Sequence, residues 1–331
     1  MAKPLDPLNI DVVASSLKHC VAALVLTSGL QAFAQQAPAT AGDAPQATFR
    51  AAVEVVTISA SVRTGGGKVV RDLERGDFEL LDTGMAVAIR DFYAAEGPIS
   101  LALLLDISGS MDVGGNMDRA RSAVNMVLTS LRTGSDEAAM FTFDSSLREV
   151  VDFSTDLSTV NRVNLAGKPW GITSLYDAIA ASARRVAQRA NRHRALLVIT
   201  DGVDTSSRLT APQVSGIASS IDVPVYVMAV VNPVDHPSGE FEARPSNTRL
   251  TGQGALVDLA RWTGGDAYFA SVPSHASIAV QSLMAELRHQ YLITFEPGER
   301  PGWHPLEVRT KKRNLVVHAR GGYMAGTRTG S

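Results

Sequence analysis

Cysteine is almost missing from this chain. Cys20 is the single one in 331 residues, which excludes a disulfide framework as the source of stability. Charge of one sign is missing as well. Thirty-one Lys and Arg face 33 Asp and Glu, for a formal net charge of −2, and no broad basic field exists to hold nucleic acid. Aromatics make up 6% of the residues, and none interleave with a Lys/Arg stripe. Histidines number seven, too scattered to mark a catalytic cluster. Neither G-x-G-x-x-G nor G-x-S-x-G occurs. The triple glycine Gly65-Gly66-Gly67 is no P-loop, since Lys68 is followed by Val69 and Val62 stands where that motif needs a glycine.

Long hydrophobic runs are lacking too. The longest N-terminal one, Cys20 to Leu30, falls far short of the roughly 20 residues that span a bilayer. With Lys18 and His19 before it and Ala32-Phe33-Ala34 after it, it has the order of a secretory signal peptide over residues 1–34. The leader before it is long and carries Asp6 and Asp11, which an internal start codon explains; the alternative is an ordinary disordered N-terminus. "SLKHC" is a poor lipoprotein site, because a charge and a histidine stand where small apolar residues belong. Cleavage after Ala34 would leave a mature protein without cysteine, without a membrane span, and extracytoplasmic. Residues 35–47, "QQAPATAGDAPQA", read as a flexible linker.

Three segments follow. Residues 48–96 alternate in a period of two: Val56, Ile58, Ala60 and Val62 against Thr57, Ser59, Ser61 and Arg63, the pattern of a half-buried strand. Strands are expected at Phe78–Leu81 and Met85–Phe92, around a turn at Asp82-Thr83-Gly84. From 97 to 290 the rhythm becomes strand, helix, strand. "ISLALLLD", "EAAMFTF", "ALLVITD" and "VYVMAVV" are apolar throughout, and amphipathic helices separate them, which implies an α/β fold with a doubly wound, mostly parallel sheet. Residues 291–325 return to β alternation in "YLITF", "LEVRT" and "LVVHAR". Neither flanking segment makes a stable unit alone, so the two are expected to pack together as a small β-sandwich into which the α/β domain is inserted. Two separate β appendages are the alternative.

Ligands of a doubly wound sheet bind beyond the carboxyl ends of its strands, where strand order reverses. Two strands end there in aspartate, Asp106 in "LLLDISGS" and Asp201 in "LVITDGVDTS". Thr173 opens a helix in "WGITSLYDAI". Asp106, Ser108, Ser110, Thr173 and Asp201 are all hard oxygen donors, a set that suits Mg²⁺. The competing duty for such residues is helix capping, most plausible for Thr173 or Ser174.

The run Asp106-Ile107-Ser108-Gly109-Ser110 resembles the D-x-S-x-S signature of the von Willebrand factor type A domain, and Thr173 and Asp201-Gly202 resemble the other two parts of its metal-ion-dependent adhesion site. The resemblance covers about residues 97–290. The flanks, with "LERGDFELLDTG" and "ARGGYMA", look like a bacterial group of secreted relatives. The resemblance implies Mg²⁺ as the ion, with Mn²⁺ or Ca²⁺ as substitutes. Ser108 and Ser110 would bind through hydroxyls, Asp106 and Asp201 directly or through water, and Thr173 according to conformational state. A protein partner would supply an Asp or Glu to the remaining position. Ile172 stands where relatives often have glycine.

Rival functions fit less well. At a nucleotide site, Asp106 and Asp112 would repel phosphate where a helix N-terminus should attract it. A hydrolase would need a histidine beside the strand ends; His193 in "NRHRA" reads as a solvated turn. Asp144, Asp177 and Asp204 read as turn, helix or supporting residues. The expectation is therefore a non-enzymatic protein-binding module, with a metal-independent scaffold as the alternative. The long segment 232–249 leaves the same sheet edge, and its Asp235, Glu240 and Glu242 are candidates for a partner-selecting rim. The plainer reading is a solvated insertion.

Overall fold

The computed structural model describes residues 55–163, 167–202, 204–233 and 252–326. The expected signal peptide and linker, and Asp235, Glu240 and Glu242, lie outside the described residues. Among those described, no helix is long and apolar enough to cross a membrane.

The first alternating run forms β1 (Val56–Thr64), with Ile58, Ala60 and Val62 fully buried. Its polar face was expected in water, yet Ser59 and Ser61 are buried as well, because the α/β layer covers that face. The Ser59 hydroxyl donates to Asp222 at 3.2 Å, and Ser61 to Glu286 at 3.2 Å. Strands β2 (Phe78–Asp82) and β3 (Met85–Val87) meet at Thr83-Gly84, with φ of 52° and 80°. Both angles are left-handed, as a tight hairpin requires. The single strand expected over 85–92 is split at Ala88, where the chain crosses from β3 to β4 (Ile89–Glu96) in a different sheet.

The α/β layer runs β5 (Ile99–Asp106), α1 (Asn116–Ser130), β6 (Glu137–Phe143), β7 (Leu147–Ser154), α2 (Leu157–Asn161), α3 (Leu175–Ala187), β8 (His193–Thr200), α4 (Ala211–Ser220), β9 (Val225–Val230), α5 (Gly252–Trp262), β10 (Ala267–Ala270) and α6 (Pro273–Arg288). Then come β11 (His289–Phe295), β12 (Gly302–Thr310), β13 (Leu315–Ala319) and β14 (Gly322–Ala325). The central sheet has the order β10-β9-β8-β5-β6-β7, parallel except for β7. Successive side chains of β5 serve opposite layers. Ile99, Leu101, Leu103 and Leu105 pack with α1 and α6, while Ala102 and Leu104 pack with α3 and α4. Burial on both faces explains the unbroken apolar run, and each buried leucine contributes roughly 1.5–3 kcal/mol.

Neither β7 nor α2 was legible beforehand. Strand β7 is an edge strand with Arg148, Glu149 and Asp152 facing outward, and such charge protects an edge from foreign pairing while hiding the apolar signal. His193 is corrected outright. It opens β8, is 4% exposed, and its Nδ1 lies 2.8 Å from the Leu287 carbonyl.

The two β segments combine into two four-stranded sheets, β13-β1-β11-β4 and β14-β12-β2-β3. Residues of both sheets, among them Ile58, Leu80, Ile293, Leu306 and Tyr323, share one core. The chain leaves this sandwich through β4 and returns through β11, and those strands pair with Glu96 opposite His289. Exit and entry are neighbours, so the whole α/β unit is inserted at one point. Asp136 staples that point. Its carboxylate is fully buried and accepts from Arg288 (2.7 Å), Arg132 N (2.7 Å) and Ile99 N (3.1 Å). Burial opposes its charge, but these donors hold the carboxyl below the usual range.

Asp136→Ala is expected to cost about 3–5 kcal/mol, since it strands the Arg288 guanidinium in a largely buried setting; urea denaturation measures it. In the sandwich, His304 sits 2.9 Å from Asp82, and the Arg300 carbonyl and Asp82 raise its imidazole against burial. A raised group contributes fully below its unfolded value of about 6.5 and fades as pH rises through the folded value. The Tm difference between the parent and His304→Asn should therefore shrink from pH 5 towards pH 9, and a constant difference would refute the ionic contribution.

Candidate functional site

Winding of the sheet reverses between β5 and β8: from β5 the chain goes to β6 on one side, then to β8 on the other. Parallel neighbours diverge there and leave a crevice at their carboxyl ends. Asp106 closes β5 and Asp201 follows β8 directly, so both carboxylates are delivered to that crevice. Thr200 joins the two strands by donating to Asp106 Oδ2 at 2.6 Å. The other oxygen, Oδ1, accepts from the Ser108 N–H at 2.8 Å. Asp106 and Ser108 are both fully buried. Burial pushes the Asp106 carboxyl up to about 6; the Ser108 and Thr200 hydrogen bonds oppose this, and the Asp201 charge adds to it.

The hydroxyls of Ser108 and Ser110 lie 3.1 Å apart. Neither serine is occupied as a helix cap. Ser108 precedes a short 3-10 turn (Gly109–Asp112) without a side-chain cap bond, and α1 starts from Gly115. Thr173 is 3% exposed and lies in the facing loop. That loop is pinned to the first: Gly109 N–H donates to Gly171 O at 3.0 Å, and Trp170 N–H to Ile107 O at 3.0 Å. Gly171 has φ of +96°, which a residue with a Cβ rarely adopts.

Capping was the competing duty for Thr173 and Ser174. Instead, the N-terminus of α3 is capped from a distance. Asp204 accepts from Leu175 N at 2.8 Å, and Ser207 from Tyr176 N at 2.9 Å, while Ser174 makes no cap bond. Thr173 lies just before the helix rather than in it. Its backbone is held by Thr205, whose hydroxyl accepts from Thr173 N at 2.9 Å. Asp144 likewise serves the scaffold, with Arg148 at 2.7 Å and Ser146 N at 3.0 Å, and Asp177 accepts from Leu209 N at 3.0 Å. All three acids are supporting residues, as their sequence positions suggested.

The donor chemistry fits a hard divalent cation. Two carboxylates would balance its charge, and neutral hydroxyls would be available for further positions. It does not fit a softer or multinuclear centre: among the described residues no three His, Cys, Asp or Glu side chains converge to hold a metal. His193 opens the strand that Asp201 follows, roughly 26 Å away at about 3.3 Å per residue, which removes it as a partner in hydrolysis. Thr200 and Thr205 were missed from sequence. A threonine closing an apolar strand just before an aspartate is a signal for the first; the second becomes a neighbour only through folding.

Residues 101–203 match the sequence model of the von Willebrand factor type A domain. This part of the chain is a domain of that class. No curated protein matches the chain. Solved structures that resemble it include an aerotolerance-related membrane protein from Bacteroides fragilis, at 20% identity over 56% of this chain and 98% of that one, with a TM-score of 0.44. A von Willebrand factor type A protein from Catenulispora acidiphila shares 14% identity over 76% and 74%, TM-score 0.44. The pilus adhesin SpaC from Lactobacillus rhamnosus GG shares 10% over 74% and 47%, TM-score 0.43.

Gly171→Ala is expected to cost about 1–3 kcal/mol through backbone strain alone, measured by thermal or urea unfolding. An unchanged stability would show that the loop relaxes freely and does not hold the site.

Proposed function

We propose that the chain is an extracytoplasmic, non-enzymatic protein-binding module of the adhesion type. Asp106, Ser108, Ser110, Thr173 and Asp201 would hold Mg²⁺ at the carboxyl edge of the sheet. The ion, when bound, supplies an electrophilic position for the Asp or Glu side chain of a partner protein. The protein's part is to bring the oxygens together at the ends of β5 and β8. The observation that carries this reading is the division of labour at the site: Asp204 and Ser207 cap α3 without Ser174, and Ser108 makes no side-chain cap bond, so helix capping does not account for the oxygen-rich residues after β5. The domain match over 101–203 supports the same conclusion.

One observation favours a metal-independent scaffold. Both Asp106 oxygens already accept hydrogen bonds within the protein, so the cluster has internal partners without an ion. Calorimetric titration of Mg²⁺ and Mn²⁺ into the parent and Asp106→Ala separates the two. Saturable binding by the parent, weakened about tenfold or more in the variant, supports the metal-dependent module. Absent binding in the parent, or equal binding by both, overturns it. In pull-downs, EDTA should release partners of a metal-dependent module and leave those of a scaffold bound.

A further inference from the structure

The loops that carry and border the oxygen cluster also carry exposed apolar side chains. Trp170 is 81% exposed, Val113 67% and Ile172 57%. All three belong to the loops that border Asp106–Ser110. Trp170 N–H is bonded to Ile107 O, Val113 N–H donates to Ser110 O at 3.1 Å, and Ile172 lies between Gly171 and Thr173. Their side chains thus project from backbone that is itself fixed to the site. A large indole held in water on a pinned loop has no folding role to explain it, and apolar surface gathered at one place marks an interaction surface. Tryptophan is also prominent among the residues that carry binding energy at interfaces.

Charge at the rim agrees with an acidic visitor. Asp112, beside Val113, is offset by Lys168 at 3.4 Å, and Asp144 by Arg148 at 2.7 Å. Asp204 and Asp177 are turned to backbone N–H groups. Once Asp106 and Asp201 are balanced by a dication, Asp112, Asp144, Asp177 and Asp204 leave little unpaired negative charge among the described residues of these loops to repel a carboxylate. The apolar frame then adds what a lone carboxylate lacks: it excludes water from the contact and demands apolar neighbours on the partner.

We propose that Val113, Trp170 and Ile172 form an apolar collar that selects a protein segment whose Asp or Glu is flanked on both sides by large apolar residues. This rests on the metal-dependent reading above and names the class of its partner. Ile172, 57% exposed beside Thr173, completes the collar.

The test uses the full chain and two fluorescein-labelled heptapeptide pools with a central Glu. One pool has Phe, Leu or Ile at both flanking positions, and the other has Ser, Thr or Asn. Fluorescence polarisation is read in Mg²⁺ and in EDTA, with Mg²⁺ calorimetry on each protein. The expected result is about tenfold tighter binding of the apolar-flanked pool in Mg²⁺, abolished by EDTA. The Val113→Ser/Trp170→Ser variant should lose that preference while still binding Mg²⁺, and Trp170→Phe should keep most of it. Equal binding of the pools by a parent that binds Mg²⁺ overturns the collar and leaves the metal site standing. A parent that binds no Mg²⁺ overturns the metal-dependent reading and the collar with it. An apolar preference that survives EDTA also overturns the proposal, since the surface would then act without the site.

Discussion

The hydrogen bond from Thr200 to Asp106, 2.6 Å long and fully buried, ties together the two strands between which the sheet reverses its winding. Everything at the functional edge depends on it. It orients one carboxylate oxygen while Ser108 N–H orients the other, so Asp106 is positioned from both sides of the crevice. The same threonine hydroxyl accepts from Gly202 N at 3.1 Å, which sets the turn that follows Asp201. A single side chain therefore registers both aspartates. Keeping a carboxylate so deeply buried is electrostatically unfavourable, as its elevated pKa shows, and such tension is common where a protein handles charge.

A second constraint operates at the other end of the sheet. The sandwich and the α/β layer share a buried polar seam, with Arg63 of β1 contacting Glu286 of α6 at 2.8 Å and Asp266 at 2.6 Å. Burial pushes the Glu286 carboxyl up to about 7, against the opposing charge of Arg63. Arg320 adds two bonds of 2.6 Å, to the carbonyls of Ser219 in α4 and Thr57 in β1. These contacts give the "ARGGYMA" run a physical purpose. Its arginine clasps the two layers, Gly321 makes room for the Trp262 ring, and Tyr323 donates to Asp82 at 2.7 Å inside the sandwich. The inserted domain is thus anchored through its base, at the end of the sheet opposite Asp106 and Asp201.

Much of this was legible in residue order. Period-two alternation marked the sandwich strands, and unbroken apolar runs marked β5, β6, β8 and β9, because a strand covered on both faces has no polar side to show. The D-x-S-x-S run announced itself as polarity with no packing reason. Other elements were hidden for equally physical reasons. Charged β7 shows no apolar pattern in the sequence, since an edge strand protects itself with the residues that loops prefer. Buried His193 looked like a turn, because its partner, the Leu287 carbonyl, lies 94 positions away.

By itself, the sequence determined which residues had the chemistry for the site and which strands would be buried. Both depend on side-chain type and local period, and neither requires knowing a neighbour. Only the tertiary structure decided what those residues are free to do. It assigned the capping of α3 to Asp204 and Ser207, brought Thr200 against Asp106, and left Trp170 and Val113 exposed on the loops beside Asp106–Ser110. Hydrogen bonds and exposure are settled between segments distant in sequence, and no local pattern records the outcome.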